Sequence, residues 1–365
     1  MRFICYVSDL KDAAKLVAKC ADAKPQTPIL AAVKISAEND QITFDATNFK
    51  VTAQINLPAN IEETGSICVN AKLFAEIVNK AAEDVIRLET VDNKLKIESG
   101  ASKFELLTYS SDEFPTTNFD TDFNVKVRAA ILKKLIRRTV FAVTRDNDRP
   151  IFKGVNFIFG DDELTAVATN AQRIAIDKMH AETFGYDAFS AVVPADALKT
   201  LADALSDDIE DLVTVTGTFG SLTFSFDNVK FKARLIEGEF PDWNKALEIE
   251  PSLEVVFGTK ELRYVLNRVN IISRDAEYNC VVFDFADGYV KIGANSDTLG
   301  GVTEVIQASP FDGELKIAFN TNFLIDLLGA VDTDHLRFKL AGKVDPAVIV
   351  DDDSDFVYVV TPVRI

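Results

Sequence analysis

Histidine and tryptophan are scarce in this 365-residue sequence: there are two histidines, His180 and His335, and one tryptophan, Trp243. So few histidines argue against a histidine-centred hydrolase or a zinc enzyme. Neither histidine has a partner of catalytic type nearby, which points to surface or strand-end positions. A lone tryptophan gives little for stacking single-stranded bases, and Trp243 is expected to pack the segment around it. The four cysteines (Cys5, Cys20, Cys68, Cys280) form no CxxC pair and no metal spacing. That favours a reduced, cytosolic setting in which the thiols serve as small buried hydrophobes. No apolar run approaches the roughly 18 residues of a membrane span, and the Phe3–Val7 segment is too short for a signal-peptide core.

Catalytic signatures are missing as well. There is no GxxxxGK[ST] loop, since Gly342-Lys343 lacks the earlier glycine and is followed by Val344. No GxGxxG follows a strand pattern and no GxSxG occurs. The acidic clusters at 161–163 and 351–355 fall between alternating patterns and read as Asp-rich hairpin turns rather than metal sites. The expectation is a protein with no catalytic residues, no metal and no cofactor.

What is present is the balance of a folded protein, 47% apolar and 26% charged. At about 100–200 residues per domain, two or three domains fit the length. An internal repeat decides for three. Ala46-Thr47-Asn48 recurs as Ala168-Thr169-Asn170, 122 positions on, and Ala294-Asn295 follows after another 126. Val69-Asn70 recurs as Val193-Pro194 and Phe319-Asn320, at steps of 124 and 126. Glu113-Phe114-Pro115 recurs as Glu239-Phe240-Pro241 after 126. The step is too long for a solenoid unit, so each third is read as a domain: 1–119, 120–243 and 244–365.

The middle third shows the plan of one repeat. A helix pattern runs over Arg128–Val143 and a second over Ala195–Leu205, started by Pro194. A short strand at Phe123–Val127 leads the repeat, and period-two strands lie at Val155–Phe159, Leu164–Ala168, Val213–Thr216, Ser221–Phe226 and Lys230–Leu235. Adjacent antiparallel strands with two helices per repeat give an α+β fold.

The charge is acidic overall, −18, but unevenly distributed. Residues 126–145 contain Lys126, Arg128, Lys133, Lys134, Arg137, Arg138 and Arg145 with no acid, a local +7. Residues 259–274 carry +3 with Lys260, Arg263, Arg268 and Arg274 against Glu261, and residues 9–20 carry +1 with Lys11, Lys15 and Lys19. These three stretches leave −29 on the remainder, and each is the first helix of a repeat. On a helical wheel, Lys133, Lys134, Arg137 and Arg138 fall opposite Leu132, Leu135, Ile136 and Val140. Lys260 and Arg263 oppose Leu262, Val265, Leu266 and Val269, and Lys11, Lys15 and Lys19 recur at every fourth residue. Any one such helix could be an ordinary solvated face. The same element being basic in all three repeats points to a polyanion. Without a zinc-finger spacing, basic zipper or aromatic RNP strand, phosphate contact would be independent of base sequence.

Several motifs, taken together, resemble a known family. They are Pro28-Ile29-Leu30, the run Ala168-Thr169-Asn170-Ala171-Gln172-Arg173-Ile174-Ala175, Glu239-Phe240-Pro241-Asp242-Trp243, Ala318-Phe319-Asn320 with Phe323, and the terminal Tyr358-Val359-Val360-Thr361-Pro362-Val363-Arg364-Ile365. In that order and spacing they are similar to the bacterial sliding clamp, the β subunit of DNA polymerase III, over the whole chain. The resemblance implies three DNA-clamp domains joined head to tail with a second copy into a ring, its helices lining a hole for duplex DNA. It also implies a hydrophobic pocket taking short motifs from the polymerase, the clamp loader and repair proteins. By position the pocket would involve Phe152, Thr169, Ala171, Gln172, Arg173, Ile174, Pro241, Lys245 and Ala246, and further on Tyr278, Asn320, Phe323, Val344, Val360, Pro362, Val363 and Arg364. Lys24 matches a DNA-contacting position. In the family, edge strands close the ring, which here would set Phe104 and Leu106 against Ile271 and Ile272 of the next copy.

Two departures stand out. The family commonly has Gly-His where this chain has Ala171-Gln172, and Met-Pro-Met where it has Thr361-Pro362-Val363. Loss of two flexible methionines should make the pocket smaller and less adaptable. The resemblance implies a non-catalytic processivity factor, classed with the polymerase only as a subunit, working in the cytoplasm at replication forks. Its rivals are a protein-only adaptor of the same fold, a paralogous clamp with a specialised role, and an enzyme built on an acidic metal site.

Overall fold

The computed structural model describes residues 1–119, 123–144, 149–160, 162–184, 189–286 and 288–364. The first third runs β1 (Arg2–Tyr6), α1 (Val7–Cys20), β2 (Ala32–Glu38), β3 (Gln41–Thr47), β4 (Val51–Pro58), β5 (Asn60–Glu63), β6 (Gly65–Asn70), α2 (Ala71–Asn79), β7 (Val85–Val91), β8 (Lys94–Ser99) and β9 (Ser102–Leu107). The middle third runs β10 (Phe123–Arg128), α3 (Ala129–Thr139), β11 (Gly154–Phe159), β12 (Glu163–Thr169), β13 (Arg173–His180), β14 (Glu182–Phe184), β15 (Phe189–Pro194), α4 (Ala195–Ala204), β16 (Leu212–Thr218), β17 (Ser221–Phe226) and β18 (Val229–Arg234). The last runs β19 (Leu253–Gly258), α5 (Thr259–Ser273), β20 (Cys280–Ala286), β21 (Tyr289–Ser296), β22 (Gly300–Gln307), β23 (Leu315–Asn320), α6 (Thr321–Ala330), β24 (His335–Leu340), β25 (Ala347–Val350) and β26 (Val357–Val360).

The repeated residues prove to be joints of the backbone. Asn70 caps α2, its side chain accepting from Leu73 N at 2.9 Å, and Asn320 caps α6 by accepting from Asn322 N at 3.0 Å. The helix expected over Arg128–Val143 is shorter: α3 ends at Thr139 and a 3₁₀ turn covers Val140–Ala142. Thr139 turns its hydroxyl back onto Leu135 O at 2.8 Å, a local bond that competes with continuing the helix. Strands β13, β14 and β15 add to the plan read from the middle third.

Strand pairing groups the chain into two compact units: Met1–Lys133 with Glu182–Tyr186 and Asp196–Leu235, and Lys134–Ala181 with Asp187–Ala195 and Ile236–Ile365. The first holds a five-stranded sheet ordered β5-β1-β7-β8-β9 and a nine-stranded sheet ordered β14-β10-β16-β17-β18-β4-β3-β2-β6. The second holds an eight-stranded sheet, β15-β11-β12-β13-β26-β25-β24-β19, and a four-stranded one, β22-β21-β20-β23. The two large sheets each join strands of neighbouring thirds, through β18–β4 and β13–β26. All pairings among the described residues are antiparallel, which allows one face per sheet to be buried.

Phenylalanine fills the cores. Phe44 and Phe74 stack at 6.0 Å in the first unit. In the second, Phe257 meets Phe338 edge to face at 5.0 Å and Phe283 meets Phe319 at 5.8 Å, geometries worth about 0.5–1.5 kcal/mol each beyond burial. Cys5, Cys20 and Cys68 are buried, and burial pushes their thiols up to about 12, so they stay protonated at neutral pH. His180 ends β13 and His335 begins β24, both exposed. The run Asp351–Asp355 forms a turn, with Asp351 accepting from Asp353 N and Ser354 Oγ. Among the described residues no helix is long and apolar enough to cross a membrane.

Candidate functional site

In the second unit a cleft of about 520 Å³ is lined by Gln172, Tyr278, Asn279, Asn320, Phe323 and the tail residues Thr361 to Arg364. The tail is held by backbone bonds: Thr361 N donates to Gln172 O at 2.9 Å and Val363 N to Ala318 O at 2.8 Å. Tyr278 presents its ring from a left-handed backbone, φ 58°, and is 65% exposed.

Beneath the cleft lies Arg173, only 6% exposed. Its Nη1 donates to Asp326 Oδ2 at 2.7 Å and its Nη2 to Phe141 O at 2.5 Å, while the guanidinium lies 4.5 Å from the Phe323 ring centre. The buried Tyr358 hydroxyl donates to Phe323 O at 3.0 Å, and burial pushes that phenol well above its ordinary range. Phe323 is therefore fixed from below by a cation on its face and a hydroxyl on its carbonyl.

Of the residues assigned to this pocket from the resemblance, Gln172, Tyr278, Asn320, Phe323, Pro362, Val363 and Arg364 come together at the cleft. Phe152, Thr169 and Val360 are buried and line no part of it, and Ile174 is half-buried in β13. Ala171 sits in the adjoining turn with φ 73°. Pro241, Lys245 and Val344 are exposed and Ala246 half-buried, and none of the four is among the lining residues. Asn279 is a lining residue that the sequence did not single out, and neither were the supports Phe141 and Asp326; Thr361, singled out as a departure from the family's Met-Pro-Met, also lines the cleft. Asn279 carries a signal of adjacency, next to Tyr278; nothing in the sequence marks the other two.

The basic helices divide. Lys15, Lys134, Arg137 and Lys260 are exposed and Lys11 half-exposed, and none is ion-paired among the described residues. Lys24 is exposed in the loop after α1. Lys19 is exposed but 2.5 Å from Asp203 Oδ2. Three of the cations read as solvent-facing are buried or half-buried and turn their charge onto protein acceptors. Lys133 is buried, donating to Leu205 O at 2.9 Å and pairing with Asp207 at 2.7 Å. Arg138, 3% exposed, pairs with Asp351 at 3.2 Å and Asp177 at 3.8 Å and bonds Ser354 Oγ at 2.9 Å. Arg263 is half-buried, with its Nη2 on the carbonyls of Leu328 and Val331 at the end of α6. Each reaches carbonyl or carboxylate acceptors that other elements bring to the helix, which no wheel built from one helix can contain. Arg145 lies outside the described residues.

Burial pushes the Asp177 carboxyl up to about 6, and the nearby Arg138 only partly offsets it. Asp351 is held below the ordinary range: burial opposes this, but the Ser354 hydroxyl and the Asp353 N–H outweigh it.

Among the eight strands that end the four sheets are β9 in the first unit and β22 in the second. On and beside them sit apolar groups in water: Phe104 at 41% and Leu107 at 73% exposure, half-buried Leu106, Val305 at 61%, and Ile271 at 55% beside half-buried Ile272 at the end of α5. Unpaired edges flanked by exposed apolar side chains are templates for strand addition.

Comparison with known proteins covers nearly the whole chain. Family models match in chain order: the N-terminal domain of the DNA polymerase III β subunit over residues 1–118, its central domain over 126–242, and its C-terminal domain over 247–364. The Bacillus subtilis β sliding clamp is 29% identical over 377 residues, covering 100% of both proteins. The crystal structure of the Bacillus subtilis DNA polymerase sliding clamp superposes with a TM-score of 0.93 at 28% identity, covering 100% of this chain and 99% of that one. A Pseudomonas aeruginosa sliding clamp solved with griselimycin bound gives 0.93 at 26% identity, covering 100% of both.

Proposed function

Because the chain belongs to the DNA polymerase III β-subunit family, we propose that it is a sliding clamp: a ring of two copies that encloses duplex DNA and tethers the polymerase. The thirds 1–119, 120–243 and 244–365 act as its three clamp domains. The cations that remain free, Lys11, Lys15, Lys24, Lys134, Arg137 and Lys260, face the phosphates. The β9 edge of one copy pairs with the β22 edge of the next, and Phe104, Leu106, Ile271 and Ile272 cover that seam. The cleft around Phe323 and Pro362 takes an apolar linear segment of the polymerase, clamp loader or repair proteins.

The observation that carries this reading is the set of unpaired basic side chains on the first helices of an otherwise acidic chain. Weak phosphate contacts suit a ring, because retention then depends on closure and sliding on contacts that carry no sequence information. The acidic remainder discourages binding of duplex DNA on the wrong face. In this reading the chain is a non-catalytic accessory subunit, and the chemistry belongs to the tethered polymerase, in the cytoplasm at the replication fork. Sedimentation tests the assembly: two 40.2 kDa chains per particle are expected, and a monomer at micromolar concentration would overturn the ring.

A further inference from the structure

The turn after β3 repeats, bond for bond, the turn after β12. Thr47 Oγ1 donates to Val51 O at 3.1 Å, and Thr169 Oγ1 to Arg173 O at 2.7 Å. Phe49 N and Ala171 N each donate to that hydroxyl, at 3.1 and 3.0 Å. Asn48 accepts from Lys50 N and Val51 N, as Asn170 accepts from Gln172 N and Arg173 N. Phe49 and Ala171 both stand in the left-handed region, φ 65° and 73°. Arg234 N then donates to Lys50 O at 2.8 Å, as Thr361 N does to Gln172 O. The fold thus builds this loop-and-strand junction twice, once in each unit. In the first the lining chemistry is different: Phe49 stands for Ala171, Lys50 for Gln172 and Arg234 for Thr361.

A cleft of about 300 Å³ opens at this first junction, lined by Phe49, Lys50, Thr52, Ser221, Lys232 and Arg234 among others. Along β18, Lys230, Lys232 and Arg234 share one face while Phe231 and Ala233 are buried on the other. Same-face positions on a strand are about 6.6 Å apart, so the three form a regular cationic strip. Their cross-strand neighbours are neutral: Gln54 and Thr52 on β4, and Ser225, Thr223 and Ser221 on β17. Lys232 donates to the neutral Asn118 carbonyl at 2.7 Å, which leaves its charge uncompensated. Among the described residues none of Lys50, Lys230, Lys232 and Arg234 forms an ion pair, in a chain of net charge −18. Beside this strip, Phe49 is 61% exposed and Phe219, at the tip of the β16–β17 turn, is fully exposed. Two rings left in water next to unpaired cations serve no packing purpose.

We propose that this cleft binds single-stranded nucleic acid, with phosphates on Lys50, Lys232 and Arg234 and bases stacked on Phe49 and Phe219. Cations that track a backbone, flanked by open aromatic faces, are the general recipe for sequence-tolerant single-strand binding. Duplex DNA fits poorly, because its base faces are already stacked. The cleft also lies on the opposite face of the sheet from α1: Val51, Ala53, Ile55 and Leu57 of β4 are buried on the side where α1 packs, and Thr52 alternates away. An acidic peptide would use the cations but would leave the two rings without a stacking partner.

The test is fluorescence anisotropy of a labelled oligothymidine with the free protein, which requires neither a loader nor a closed ring. Lys232→Gln with Arg234→Gln should weaken binding and reduce the log–log salt slope by about 1.4, at about 0.7 for each phosphate no longer neutralised. Phe219→Ala should cost at least about fivefold in affinity at an unchanged slope. Because Phe219 packs against nothing, that variant leaves folding intact. Lys291→Gln with Lys316→Gln, exposed cations on β21 and β23, should leave single-strand binding as it was. Wild-type binding by both cleft variants, or equal loss in this strand variant, would overturn the proposal. So would competition by polyglutamate with no effect of Phe219→Ala, which would mark a site for acidic peptides.

Discussion

The guanidinium of Arg173 lies 4.5 Å from the ring centre of Phe323, while the same side chain bonds Asp326 and the Phe141 carbonyl. One buried cation thus sets the floor of the cleft without lining it. Arg173→Lys keeps the charge but loses the planar fork and the stacking face. It should weaken an apolar clamp-binding peptide about tenfold or more, with Arg173→Ala costing about 1–3 kcal/mol of stability as well, since the Phe141 carbonyl loses its donor while Asp326 keeps its contact with water. Peptide titration calorimetry beside denaturant unfolding separates the two effects. Wild-type affinity in Arg173→Lys would count against this role.

Ala171 holds φ 73°, where a Cβ is strained and glycine is not. Ala171→Gly should raise stability by about 0.5–1 kcal/mol, and the melting point by about 1–2 °C. A lower melting point would show that the turn is not strained.

Asp177 makes stability depend on pH in a direction opposite to most carboxylates. Its folded value, about 6, lies above the ordinary 3.8, so the fold favours the neutral form. The stabilisation is full below about 4 and is lost as pH rises through 6, a difference of about 3 kcal/mol. Asp351, held low, acts the other way, and its contribution is lost as pH falls. Asp177→Asn should therefore be more stable than wild type at pH 7, with the gap closing towards pH 4, since Asp351 still pairs Arg138. Chemical denaturation across that range reads the difference; a variant less stable at pH 7 would reverse the assignment.

Arg137 and Arg138 are neighbours with opposite fates. Reversing Lys134 and Arg137, both exposed, should weaken loading onto DNA and leave the melting point and dimer mass unchanged. Arg138→Ala should cost about 3–5 kcal/mol, because Asp177 and Asp351 would keep buried charge without a counter-ion. Melting curves and DNA-loading assays on the two variants should give opposite outcomes, and equal effects on stability would contradict the burial pattern.

The repeats were legible because they mark backbone joints. Asn70 and Asn320 recur as helix caps, and Thr47-Asn48 and Thr169-Asn170 recur as identical turns, so local chemistry that specifies geometry shows in the sequence. The core stripes of α1, α3 and α5 followed helical period for the same reason. The fates of Lys133, Arg138 and Arg263 did not show, because their acceptors come from elements distant in sequence: Leu205, Asp351 and Leu328. Phe141 and Asp326 were illegible for that reason too. Phe49 and Phe219 carry no mark in the sequence either: phenylalanine is ordinarily a core residue, and only the fold leaves these two rings exposed beside the cationic strip.

Retention on nicked circular DNA, before and after the circle is cut, tests the central claim most directly, with a clamp loader and ATP present. A closed ring predicts protein that survives a high-salt wash on the circle and is released by linearisation. Equal binding to circle and linear DNA, falling steeply with salt, would mean ordinary phosphate binding and would contradict the clamp.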